Sequence, residues 1–163
     1  MTMQWIYIKN SSSKENFELR DNDKILAGIS FNKQTRFVRL VYGLGKRMFT
    51  FEKKGLIKPG KIIRNEYGIK LGRMEEIKPG AGKGIVVLNG KKYFFVFDKD
   101  KSGDLVLYDE RMQKRLLTCS FNAINPGIHK TKSLLDTKFS SLLLLLCWIN
   151  FQPNDTTVKE VMH

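Results

Sequence analysis

From Leu142 to Ile149 the chain reads Leu-Leu-Leu-Leu-Leu-Cys-Trp-Ile. A helix built on that run is apolar on every side and offers no face to water, so lipid or protein must surround it. Spanning a bilayer takes about 20 apolar residues. Here Asp136, Thr137, Lys138, Ser140 and Ser141 dilute the run upstream, and Asn150 and Gln152 close it downstream. The stretch is therefore read as a helix over 133–149, free of Gly and Pro, that the rest of the chain encloses.

What precedes it has the period of strands. Asn16 to Arg20 alternates with Phe17 and Leu19 on one face, Ile25, Ala27, Ile29 and Phe31 share a face, and so do Phe49 and Phe51. Asp21-Asn22-Asp23, Gly43-Leu44-Gly45 and Lys58-Pro59-Gly60 punctuate these runs. Asn89-Gly90 between Ile85–Leu88 and Lys91–Phe97 is a type I′ hairpin signal, because both central residues need positive φ. About ten to twelve short antiparallel strands are expected. Closing them into a β-barrel removes sheet edges that a chain with 11 Phe would otherwise expose. The expected organisation is a mostly β barrel domain over 1–152 with the helix at its centre, and a polar tail over 153–163.

Charge narrows the partners. The chain of 163 residues carries 29 basic and 16 acidic side chains, a net +13. Residues 1–83 hold 18 of the bases against 8 acids. A field of that sign draws phosphoinositide headgroups, anionic membrane or nucleic acid. Arg36, Arg39, Lys46, Arg47, Lys53 and Lys54 lie around aromatic-rich strands and form the candidate anionic-ligand patch. Nucleic acid is not supported by a motif, since no paired aromatic set for stacking bases is present.

Chemistry-bearing patterns are few. There is no nucleophile elbow, zinc motif or kinase set, and Gly80-Ala81-Gly82-Lys83-Gly84 lacks the full phosphate-loop pattern. His129 is read as a loop residue, and Cys119 and Cys147 as buried small hydrophobes. No catalytic residue or obligatory cofactor is named, and the chain is expected not to be an enzyme. Asp98 to Asp109 has oxygen donors at calcium-loop positions 1, 3, 5, 7 and 12, namely Asp98, Asp100, Ser102, the Asp104 carbonyl and Asp109, with Gly103 at position 6. It is read either as a low-affinity Ca²⁺ site of the roughly 10⁻⁴–10⁻³ M class or as a plain hairpin connection. Met1 to Lys9 lacks a signal-peptide layout, so the expected setting is cytoplasmic, with peripheral membrane contact.

Three stretches together resemble the tubby C-terminal-like superfamily, which includes LURP-one-related proteins and phospholipid scramblases. They are Asn65 to Gly72, similar to a strand-turn-strand element; Asp98 to Asp109, similar to the scramblases' calcium-binding-like segment at Asp98, Asp100, Gly103 and Asp109; and Leu142 to Gln152, similar to the terminal helix. The resemblance implies a barrel of roughly twelve strands wrapped around a hydrophobic helix, and membrane or phosphoinositide association in some members. The expected function is a non-enzymatic binding module for such a surface. An intracellular scaffold or protein-interaction domain is the alternative, followed by an enzyme of unrecognised type.

Overall fold

The computed structural model describes residues 2–54, 60–78, 80–98, 103–121 and 128–151. Among these are twelve strands, β1 (Thr2–Asn10), β2 (Lys14–Asp21), β3 (Lys24–Asn32), β4 (Phe37–Tyr42), β5 (Gly45–Lys54), β6 (Gly60–Asn65), β7 (Lys70–Glu76), β8 (Lys83–Leu88), β9 (Lys91–Phe97), β10 (Asp104–Tyr108), β11 (Arg115–Ser120) and β12 (Ile128–Ser133), followed by one helix, α1 (Thr137–Phe151). Each strand pairs antiparallel with the next, and β12 closes on β1 from Thr2↔Lys132 to Ile6↔Ile128. An even strand number allows this, because an odd meander would bring its last strand beside the first in parallel.

Alternation sets the two faces of the wall. In β4, Val38 and Leu40 are buried while Phe37, Arg39 and Val41 face out. Outside, ion pairs such as Arg20–Glu18, Arg64–Glu52 (2.9 Å) and Arg73–Glu75 (3.2 Å) lie along the strands. Apolar side chains inside and ion pairs outside are the reverse of a lipid-embedded barrel. The wall admits close approach where it lacks a side chain. A Cβ on Gly84 would collide with the Glu75 carbonyl and with the Phe95 ring 2.6 Å away.

A barrel of twelve strands is wider than one that side chains can fill from the wall alone. A helix with its side chains is about 10–12 Å across and supplies the missing volume. Leu142 to Cys147 are all 0–1% exposed, so every side of α1 meets the wall. This explains the all-round apolar run. Near the end of α1, Trp148 stacks on Tyr7 at 5.8 Å and meets Phe17 (5.2 Å), Phe121 (5.6 Å) and His129 (5.3 Å) edge-on or tilted. No helix among the described residues is long and apolar enough to cross a membrane.

Three expectations need correction. The helix begins at Thr137 and not at Ser133, because Ser133 ends β12 and Asp136 caps α1 by accepting the Phe139 N–H at 2.8 Å. His129 is not a loop residue; it lies on β12 and is 3% exposed. Ile25 does not share the face of Ala27, Ile29 and Phe31. The pairing jumps from Leu19↔Ala27 to Arg20↔Ile25, and this bulge turns Ile25 outward to 54% exposure. The tail over 153–163 lies outside the described residues.

Candidate functional site

Because successive strands run in opposite directions, the connections alternate between two mouths. The lower mouth holds the β2–β3, β4–β5, β6–β7, β8–β9 and β10–β11 turns and admits the chain into α1. The upper mouth holds the other connections and the C-terminal end of α1.

On the lower rim, three neighbouring hairpin ends share a composition. The β2–β3 end exposes Ile25 beside Lys24, and the β4–β5 end exposes Leu44 fully beside Lys46. The β6–β7 end exposes Tyr67 (80%) and Ile69 (59%) beside Lys70. Tight backbone geometry holds these tips out. Gly43 before Leu44 has φ 54°, and Gly68 has φ 78°. The Asn65 side-chain oxygen accepts the Tyr67 and Ile69 N–H groups at 2.9 and 3.0 Å. Glu66 ties two of the hairpins together, accepting the Met48 N–H at 3.1 Å and pairing with Arg47 at 3.0 Å. The Met48 amide, and then the Arg47 guanidinium, hold the Glu66 carboxyl below its usual range.

The upper mouth gathers cations on the inner wall. Lys53 and Lys61 face each other across β5 and β6, one inward pair beyond the buried Phe51↔Ile63. Arg36 lies beside them on the adjoining connection, its carbonyl accepting the Phe51 N–H at 3.2 Å. Burial, and then the like charges of Arg36 and Lys53, pull the Lys61 amine from 10.5 down to about 7.

The six residues of the expected basic patch are thus distributed, not gathered. Arg39 and Lys46 are exposed on the outer wall, diagonal to one another through Arg39↔Met48 and Val41↔Lys46. Arg47, opposite the inward Leu40, is engaged with Glu66 and sits 6.0 Å from the Phe49 ring centre. Arg36 and Lys53 belong to the other mouth, and the Lys54 side chain lies outside the described residues. Reasoning from sequence missed Lys61, Lys24, Lys70 and the apolar tips. One signal was available: Leu44, flanked by two glycines, is a large apolar residue at a turn tip.

The calcium-like segment does not fold as one loop. Asp98 and Asp104 close the β9–β10 connection through Asp98 N–H to Asp104 carbonyl (3.0 Å) and Gly103 N–H to Asp98 carbonyl (2.7 Å). Strand β10 then carries the chain about 17 Å to the other mouth at roughly 3.3 Å per residue. There Asp109 accepts the Gln113 and Lys114 N–H groups at 2.8 and 3.2 Å, and these bonds lower its pKa. Asp109 therefore does not meet Asp98, while Asp100 and Ser102 lie outside the described residues. Among the described residues no group of three His, Cys, Asp or Glu side chains could hold a metal ion.

Both cysteines are buried and unpaired, and burial pushes the Cys119 thiol up to about 12 and Cys147 higher still. Neither is an activated nucleophile. His129 donates its Nδ1–H to the Ser120 carbonyl (2.9 Å), and burial lowers its pKa. No family model, no curated protein and no solved structure matches this chain.

Proposed function

We propose that the chain is a non-enzymatic binding module that docks its lower rim on an anionic membrane surface, including one that bears phosphoinositides. The observation that carries this reading is the repeated pairing of an exposed large apolar side chain with a lysine on three adjacent hairpin ends. Lys24, Lys46 and Lys70 form no ion pair among the described residues, so their charge is available to headgroups. Each lysine near an anionic surface contributes about 1 kcal/mol. Ile25, Leu44, Tyr67 and Ile69 are placed to enter the boundary between headgroups and chains, as the apolar residues of interfacial elements do. Kinship with the tubby C-terminal-like superfamily belongs to the same proposal. The twelve-strand closed barrel around an apolar C-terminal helix supports it at the level of architecture.

Co-sedimentation with phosphatidylcholine vesicles, with and without phosphatidylserine or phosphoinositide, tests the reading. The chain should pellet with the anionic vesicles alone and be released by salt. The double variant Leu44→Asp, Tyr67→Asp should lose at least about tenfold in affinity while its melting temperature holds, because both sites are exposed. Equal binding to neutral vesicles, or none to either, would overturn the reading.

A further inference from the structure

The upper mouth poses a separate electrostatic problem. Lys53 and Lys61 are direct cross-strand partners on the inward face of the wall, and Arg36 closes the group from the β3–β4 connection. Like charges directly opposed across strands repel. Arg36 has a left-handed φ of 59°, uncommon for a residue that is not Gly, so its side chain leaves the strand's alternation. Two further groups act on Lys61 here: Glu76 from β7 and the Cys147 thiol from α1. Glu76 also accepts the Gly82 N–H at 3.3 Å. Burial holds the Cys147 thiol protonated, so it brings no counter-charge at neutral pH. Three cations therefore stand against one carboxylate. Among the described residues Lys61 forms no ion pair.

The C-terminal end of α1 lies at this mouth and has no basic residue in its last turn. The partial negative charge of its terminal carbonyls favours a cation nearby. About half a charge is all that a helix end supplies, so the helix end and Glu76 together still leave the cluster net positive.

We propose that the upper mouth is an anion-binding site that takes a phosphate group between Arg36, Lys53 and Lys61. The phosphate can come from a soluble phosphate ester or from a lipid headgroup. The geometry suits it, because a phosphate accepts several charge-assisted hydrogen bonds at once and removes the repulsion among its donors. The site lies at the end of the barrel opposite the apolar tips and does not depend on their reading. Binding has a proton signature. Lys61 is partly neutral near pH 7 when the site is free, and a bound anion restores its proton.

Isothermal titration of the full chain with tripolyphosphate tests the site, using Lys61→Met, Lys53→Ala and, at exposed Lys91 on the other mouth, Lys91→Ala. Lys61→Met removes a desolvated charge and fills the same volume, so it folds, and exposed Lys53 provides a second variant. Affinity should fall roughly tenfold or more in Lys61→Met and less in Lys53→Ala, and be unchanged in Lys91→Ala. Proton uptake at pH 7.5, read from two buffers of different ionisation enthalpy, should exceed that of Lys61→Met; uptake common to both chains belongs to the probe. Equal affinity in all four chains, equal loss at Lys91 and Lys61, or absence of binding at millimolar tripolyphosphate would overturn the proposal. Anionic vesicles distinguish the source. Unchanged vesicle binding by Lys61→Met assigns the site to a soluble ester, and weakened vesicle binding assigns it to a headgroup. Failure of the lower-rim reading is seen separately, as vesicle binding that survives the Leu44 and Tyr67 substitutions.

Discussion

The two mouths of the barrel are cut from the same strands yet are built differently. The lower mouth has tight turns, with two residues between β2 and β3, between β4 and β5 and between β8 and β9. A two-residue turn cannot bury its own side chains, so whatever stands at its tip meets solvent. Leu44 stands on such a turn, Tyr67 and Ile69 stand on the four-residue β6–β7 connection that Asn65 pins, and all three are exposed. The upper mouth has longer connections, and its inward positions continue the core pattern of β5, β6 and β7 past the last apolar layer. Phe51, Ile63 and Met74 are buried, and the next inward residues are Lys53, Lys61 and Glu76. Charge that is out of place marks one end, and apolar surface that is out of place marks the other.

The largest test removes what separates the ends. Leu144 is fully buried at the centre of α1. Leu144→Asp places an unpaired carboxylate among apolar groups and should destabilise the fold by more than about 4 kcal/mol. Urea denaturation followed by circular dichroism should show the chain largely unfolded. A stable variant would mean that α1 is not enclosed.

The next test isolates the upper end through pH. The Lys61 amine titrates at about 7 in the folded chain against 10.5 when exposed. Between those values the unfolded chain binds more protons, so stability rises with pH across the window. Below about 7 both states are protonated, and the full cost of burying the charge remains. Lys61→Met should therefore be more stable than the parent at pH 6.5, with the advantage shrinking towards pH 10. Urea midpoints at pH 6.5, 8 and 9.5 for both chains measure it. Parallel curves would show that Lys61 is not desolvated.

Much of the architecture was legible in the chain. Alternation marked β2 and β5, Asn89-Gly90 adopts the positive φ values of 50° and 77° expected of its turn, and the leucine run located α1. Strand β12 was not legible because its inward residues are His129 and Thr131, so hydrophobic alternation is invisible there. Their polarity is partly accommodated by Ser120, which bonds the histidine, and by Cys119, which accepts the Thr131 hydroxyl at 3.3 Å. Ile25 was misplaced because a bulge adds one residue without any mark in composition. The six residues of the expected basic patch are spread over both mouths and the outer wall for a reason of the same kind. Proximity along an antiparallel hairpin does not fix which end or which face a side chain occupies. Lys46 and Lys53 are on one strand, seven residues apart and at opposite mouths. Lys61 needed the β5–β6 register, which no local pattern supplies.

The claim that the two ends differ in what they meet can be read directly by fluorescence. Cys119 and Cys147 are buried, so an environment-sensitive nitrobenzoxadiazole probe can be confined to an introduced cysteine. One chain carries Leu44→Cys at the lower rim, and a second carries Ala81→Cys, exposed on the β7–β8 connection of the upper mouth. Each is titrated with anionic vesicles. The account predicts a blue shift and a rise in emission at position 44 that exceed any change at position 81. A shift at position 81 alone, or an equal shift at both, would contradict it.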